Sequence, residues 1–168
     1  MKYLGAARGL EEALGLYRDL GDRLGQATAL LYLGIVRRAT GDLPSAARTL
    51  EEALGISRAI GDQGGEAEVL NEAGTLHRAC DDLRQAGSCH QQALDLARQI
   101  GNSGDEAQAL AGLGRCALAA GRTGEAEDRL RQALEVFRRI GASEAADVAS
   151  ELDAMRTAAY PPSDESAE

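Results

Sequence analysis

The 168-residue chain has no tryptophan, and aromatic residues make up only 3% of it. Since 44% of its residues are still apolar, a core has to be built from alanine and leucine. Alanine has the highest helix propensity, and thin alanine-lined faces let helices approach closely, so the expectation is all-α. No apolar run approaches the roughly 20 residues of a membrane span. No charged-then-apolar segment opens the chain, and a cytoplasmic location is expected. Cationic stripes are missing as well: Lys2 is the sole lysine, and the formal net charge is -9 with a pI near 4.8. That balance excludes direct contact with nucleic-acid phosphates and disfavours anionic membrane surfaces. Cys80, Cys89 and Cys116 form no paired-spacing motif and read as free thiols. The preference for arginine over lysine, together with abundant alanine, suggests a GC-rich bacterial source.

What the chain does have is a period of forty. Leu30, Leu70 and Leu110 share it, as do Gly34/Gly74/Gly114, Ala46/Ala86/Ala126, Ala53/Ala93/Ala133 and Arg58/Arg98/Arg138. Gly21, Gly61, Gly101 and Gly141 mark the joints. A fixed period of this length marks a solenoid, because one unit cannot bury its apolar face alone and must stack on its neighbours. In residues 21–60, Asp22 is a plausible N-cap for a first helix from about residue 23 to residue 40. Gly41 supplies the stop, and Asp42 caps a second helix with Pro44 in its first turn. Residues 61–100 and 101–140 repeat the hairpin. Asp81 stands where the turn glycine would be, an exchange that Asp tolerates in the left-handed region.

The ends break the pattern. Residues 3–20 align with a second helix only, with Ala6, Leu10, Ala13 and Leu14 at the places of Ala46, Leu50, Ala53 and Leu54. An uncapped outer face there points to a fragment of a longer protein or to a homodimer through that face. Residues 143–156 form a terminal capping helix carrying Val148, Leu152 and Met155, which completes a solenoid over residues 1–156. Residues 157–168 are acidic, contain Pro161–Pro162, and read as a disordered tail and a true C-terminus.

Leu30…Leu33–Gly34…Ala46…Leu50…Ala53, repeated as Leu110…Leu113–Gly114…Ala126…Leu130…Ala133, resembles the tetratricopeptide repeat. The middle unit departs from it, with Ala73 for the leucine and His90 for the large apolar residue. The resemblance implies a right-handed superhelix of antiparallel hairpins. The forty-residue period resembles the long-repeat variety found in bacterial NTPase-linked transcription regulators and in Pins-type spindle adaptors; the arginine-rich composition favours the bacterial group. It further implies a concave groove lined by the first helices at Thr28, Leu31, Ile35 and Arg38, then Glu68, Asn71, Thr75 and Arg78, then Gln108, Ala111, Arg115 and Leu118. Helical periodicity places each set on the face away from the Leu–Gly column. Arg38, Arg78 and Arg115 would suit a carboxylate or acidic peptide through bidentate guanidinium bonds. Alternatively, they are solvated helix ends paired with nearby acids, and both accounts stay open. The lysine-based carboxylate clamp of chaperone-binding relatives is not met.

Arg18, Arg58, Arg98 and Arg138 read as structural, complementing the dipole at the end of each second helix. His77, Cys80, Cys89 and His90 could approach one another, but no Cys-x-x-Cys brackets them, so no metal is expected. No oxyanion loop or orienting acid accompanies the cysteines, and Gly64–Gly65 lacks the strand and lysine of a phosphate loop. The reading is therefore a non-enzymatic protein- or peptide-binding scaffold without cofactor, serving as the interaction or sensor region of a larger bacterial regulator. The alternatives are a receptor for a small signalling peptide or metabolite, and a self-assembly module.

Overall fold

The computed structural model describes residues 2–159, and side chains from residue 5 to residue 158. The described residues form eight helices and no strand: α1 (Lys2–Leu20), α2 (Arg23–Ala39), α3 (Leu43–Ile60), α4 (Gln63–Ala79), α5 (Leu83–Ile100), α6 (Ser103–Ala119), α7 (Thr123–Ile140) and α8 (Glu144–Ala159). Among these residues no helix is long and apolar enough to cross a membrane.

Local chemistry sets the joints. Asp22, Asp42, Asp62, Asp82 and Asn102 each accept from the backbone N–H three residues on, at 2.9, 3.2, 3.0, 3.1 and 3.1 Å. Each bond satisfies one of the otherwise orphaned donors of a helix start. Arg122 breaks the series and leaves α7 without a side-chain cap. Between helices the chain passes through the left-handed region at six glycines and at Asp81, whose φ is 61°. A residue with a Cβ is rare there, and Asp is among the few that enter it.

Packing is between neighbours. α2 with α3, α4 with α5 and α6 with α7 form hairpins, and successive hairpins stack so that α2, α4 and α6 lie side by side. α1 packs on α2, and α8 closes the far end against α7. Each hairpin closes at the predicted column. A Cβ on Gly34 would stand 2.6 Å from Leu50, one on Gly74 2.7 Å from His90, and one on Gly114 2.8 Å from Leu130. Two apolar clusters result: one runs from Leu14 through Leu30 and Leu50 to Leu76, the other from Leu70 through Leu94, Leu110 and Leu130 to Leu152. This is an all-α repeat solenoid.

Two details at the ends depart from expectation. α8 continues through Ala159, so 157–159 are helical and not the start of a disordered tail; the rest of the acidic segment lies outside the described residues. At the other end, Ala6 is exposed and Leu10 half-buried, whereas Ala46, Ala86 and Ala126 are fully buried and Leu50 is 2% exposed. The face that a first helix covers on α3, α5 and α7 is open on α1.

Candidate functional site

The side-by-side first helices form one wall, and against it lies a cavity of about 410 Å³. Eight of the twelve residues expected in the groove line it: Leu31, Ile35, Glu68, Asn71, Thr75, Gln108, Ala111 and Arg115. Thr28, Arg38, Arg78 and Leu118 do not. Burial follows the repeat. Glu68 and Gln108 are exposed at the rim, Leu31, Asn71 and Ala111 are buried at the base, and Ile35, Thr75 and Arg115 are half-buried between. Leu118, 40% exposed, lines a separate apolar hollow with Met155 and Ala158.

The arginines do not form a carboxylate-binding set. Arg38 is ion-paired with Glu72 on the next first helix. Arg115 grips Glu151 of α8 with two nitrogens, Nε at 3.0 Å from Oε2 and Nη2 at 2.6 Å from Oε1. A bidentate pair of this kind leaves the guanidinium little capacity for a further anion. Arg78 has no carboxylate partner among the described residues. Arg38 pairs with a residue 34 positions on, and the same step from Arg78 reaches Gly112. The expectation of acidic groups on the partner is corrected accordingly: the charges meant to receive them are already neutralised within the protein or lie off the cavity.

Carboxylates dominate the lining: Glu68, Glu72, Asp105, Glu144 and Asp147 all contribute. Asp105 is 5% exposed; its Oδ2 accepts from Asn102 Nδ2 at 2.6 Å, and burial with Glu68 nearby raises its carboxyl to about 6. Partial desolvation at the rim, and then Asp62, also push Glu68 up. Carboxylates in such surroundings hold their protons more tightly than exposed ones.

At the base stands a polar pair that the flanking units lack. His90 occupies the place of Leu50 and Leu130, and Asn71 the place of Leu31 and Ala111. His90 Nδ1 donates to Asn71 Oδ1 at 3.2 Å, while Asn71 Nδ2 donates to the backbone oxygen of Asp105 at 3.2 Å. His90 Nε2 is left buried without a partner. Burial, reinforced by Arg78 and Arg115, holds His90 down to about 4, so the ring is neutral near pH 7. A Cβ on Gly112 would stand 2.3 Å from this ring, which explains the glycine where Tyr32 and Glu72 stand in the other units.

His90, Asp105, Gly112, Glu144 and Asp147 were not among the expected groove residues. His90 and Asp105 share a signal that the sequence carries: each breaks a forty-residue column, Asp105 replacing Gly25 and Gly65, whereas Gly112 stands in no column. Glu144 and Asp147 come from α8, which belongs to no repeat, so no periodicity could place them. Among the described residues no three His, Cys, Asp or Glu side chains come together to hold a metal ion. Cys80 is exposed, Cys89 half-buried and Cys116 buried.

Residues 65–139 match the model of the tetratricopeptide repeat family. Residues 65–139 thus carry tetratricopeptide repeats. No curated protein matches it. Among solved structures, it is similar to BtubC (BKLC) from P. vanneervenii, with a TM-score of 0.78 and 20% identity over 95% of this chain and 66% of that one. It is also similar to the apo form of RapI, with a TM-score of 0.74 and 14% identity over 95% of this chain and 64% of that one. A third likeness is to a putative kinesin light chain with nearly identical tetratricopeptide-like repeats from Podosopora anserina, at a TM-score of 0.65 and 15% identity, covering 95% and 89%. The chain thus spans slightly under two thirds of the first two proteins. At these identities the likeness speaks for the fold. The matched residues run from the start of α4 to the end of α7, two successive hairpins.

Proposed function

We propose that this tetratricopeptide solenoid is a non-enzymatic scaffold that holds a protein or peptide partner against the wall formed by α2, α4 and α6. The observation that carries the reading is the cavity itself. It sits where the first helices converge, and its base is a hydrogen-bonded polar pair that stacking alone does not require. We further infer a setting in the interaction or sensor region of a larger bacterial regulatory protein. The forty-residue period, the arginine-rich composition and the similarity to RapI support that setting. Its volume also falls within the range of small-ligand sites, which favours reception of a short peptide or metabolite as a second reading. A self-assembly role rests on the open face of α1.

The test is to fill the cavity without disturbing the hairpins. Thr75→Trp with Gln108→Trp places two large side chains on its half-buried and exposed positions. The immobilised chain is expected to capture a partner from lysate of the source organism, and the double variant to lose it with helicity intact. A partner held equally by both proteins would remove the groove from consideration.

A further inference from the structure

The charge inventory of the cavity goes one step beyond the scaffold reading, on which this inference rests. Five carboxylates line it, and one of them, Glu72, is neutralised by Arg38. The single lining arginine, Arg115, is committed to Glu151. Glu68, Asp105, Glu144 and Asp147 therefore face the cavity with no ion-pair partner among the described residues. Arg78, the groove arginine without a partner, does not line it.

An acidic wall alone would be an ordinary solvated surface. The second observation is His90, which lines the same cavity and is 2% exposed. Its Nδ1 is used as a donor to Asn71, so the neutral ring presents Nε2 as a buried acceptor, and that atom has no donor. A buried acceptor without a partner is costly, and it is satisfied by a hydrogen-bond donor such as an N–H. Carboxylates and an unpartnered acceptor that line one cavity are both met by the N–H groups of a cation.

We propose that the cavity selects a cationic side chain, a lysine or arginine of a bound peptide segment, held by Glu68 and Asp105 with an N–H directed to His90. The elevated Asp105 carboxyl is consistent with this, since an arriving cation returns a raised carboxylate toward its ordinary range.

The experiment is an amide-resolved NMR titration of the full ¹⁵N-labelled chain at low salt. The probes are three capped peptides, Ac-Ala-Ala-X-Ala-Ala-NH₂, with X lysine, norleucine or glutamate. The lysine peptide should shift the amides of Asn71, Asp105 and Gly112 saturably, with affinity about tenfold above the norleucine peptide, as one charged hydrogen bond supplies. The Glu68→Gln/Asp105→Asn variant should lose that preference. Asp105→Asn is near-isosteric and removes a disfavoured buried charge, so melting should not fall, and folding is checked by the same spectra. Equal saturation by the norleucine or glutamate peptide would overturn the cation site while leaving a peptide groove in place. Failure of the lysine peptide to move these amides would also overturn it, whereas the groove reading is judged separately by the cavity-filled variant and partner capture.

Discussion

The first and middle repeats share a backbone plan and differ in what fills it. In the first, Leu50 closes the hairpin against Gly34, with Leu31 beside it, so that crossing is apolar and its groove arginine meets Glu72. In the middle repeat the same places hold His90 and Asn71. The consequences spread outward: the His90 ring needs Gly112 on the next first helix, and with a glycine there Arg78 has no carboxylate opposite. One polar substitution in a packed column thereby changes three positions, because close-packed interiors transmit a change of shape and a buried polar group must find its partners. Two otherwise equivalent hairpins thus differ in the polarity of their crossing.

The largest expected effect tests the packing of that contrast. Gly74→Leu should destabilise the chain by about 3 kcal/mol, lowering Tm by roughly 10 °C, because His90 is pinned by Asn71 and cannot yield. Gly34→Ala should cost less than Gly74→Ala in calorimetric melting, since no hydrogen bond holds the Leu50 side chain against a shift. Equal costs would mean that the polar pair does not stiffen the middle hairpin.

Next comes pH. Between 6.5 and about 4 the unfolded chain protonates a histidine that the folded chain keeps neutral, so His90 makes stability fall as pH drops through that window. Asp105 works the other way. Its folded carboxyl holds a proton up to about 6 against an ordinary 3.8, so its contribution falls as pH rises through that range. The two nearly offset one another in the wild-type protein. Asp105→Asn should uncover the histidine slope, a loss of roughly 3 kcal/mol from pH 7 to pH 4 in denaturant midpoints. Asn71→Leu with His90→Leu, which rebuilds the middle repeat on the pattern of the first, should reverse the slope. A wild-type-like profile in both variants would deny the pair its buried character.

The smallest effect separates the arginines. Arg38→Gln should cost about 1 kcal/mol, since it leaves the largely buried Glu72 unpaired, whereas Arg78→Gln should stay within about 0.5 kcal/mol. A larger loss at Arg78 would show that it has a partner in solution.

Much of the architecture was legible in the chain because repeat signals are local. Asp22, Asp42 and Asp62 cap as their positions predict, and Gly34, Gly74 and Gly114 close hairpins because a glycine recurring beside leucine marks a crossing. The groove was legible in part. The face of each first helix follows from 3.6-residue periodicity, which is why eight of the twelve expected residues line the cavity. Its chemistry was not. Whether Arg38 and Arg115 are free or paired depends on Glu72 and Glu151, which lie 34 and 36 residues away, and helix spacing says nothing about charges that meet only on stacking.

The sequence by itself determined that forty-residue hairpins would stack into an all-α solenoid, since caps, joints and small-residue columns are short-range properties of each repeat. Only the tertiary structure decided the sign of the charge that lines the cavity. Ion pairs between neighbouring units withdraw Arg38 and Arg115, α8 adds Glu144 and Asp147, and His90 remains buried with an empty acceptor. Electrostatic character belongs to distances between elements, and those exist only once the helices have packed.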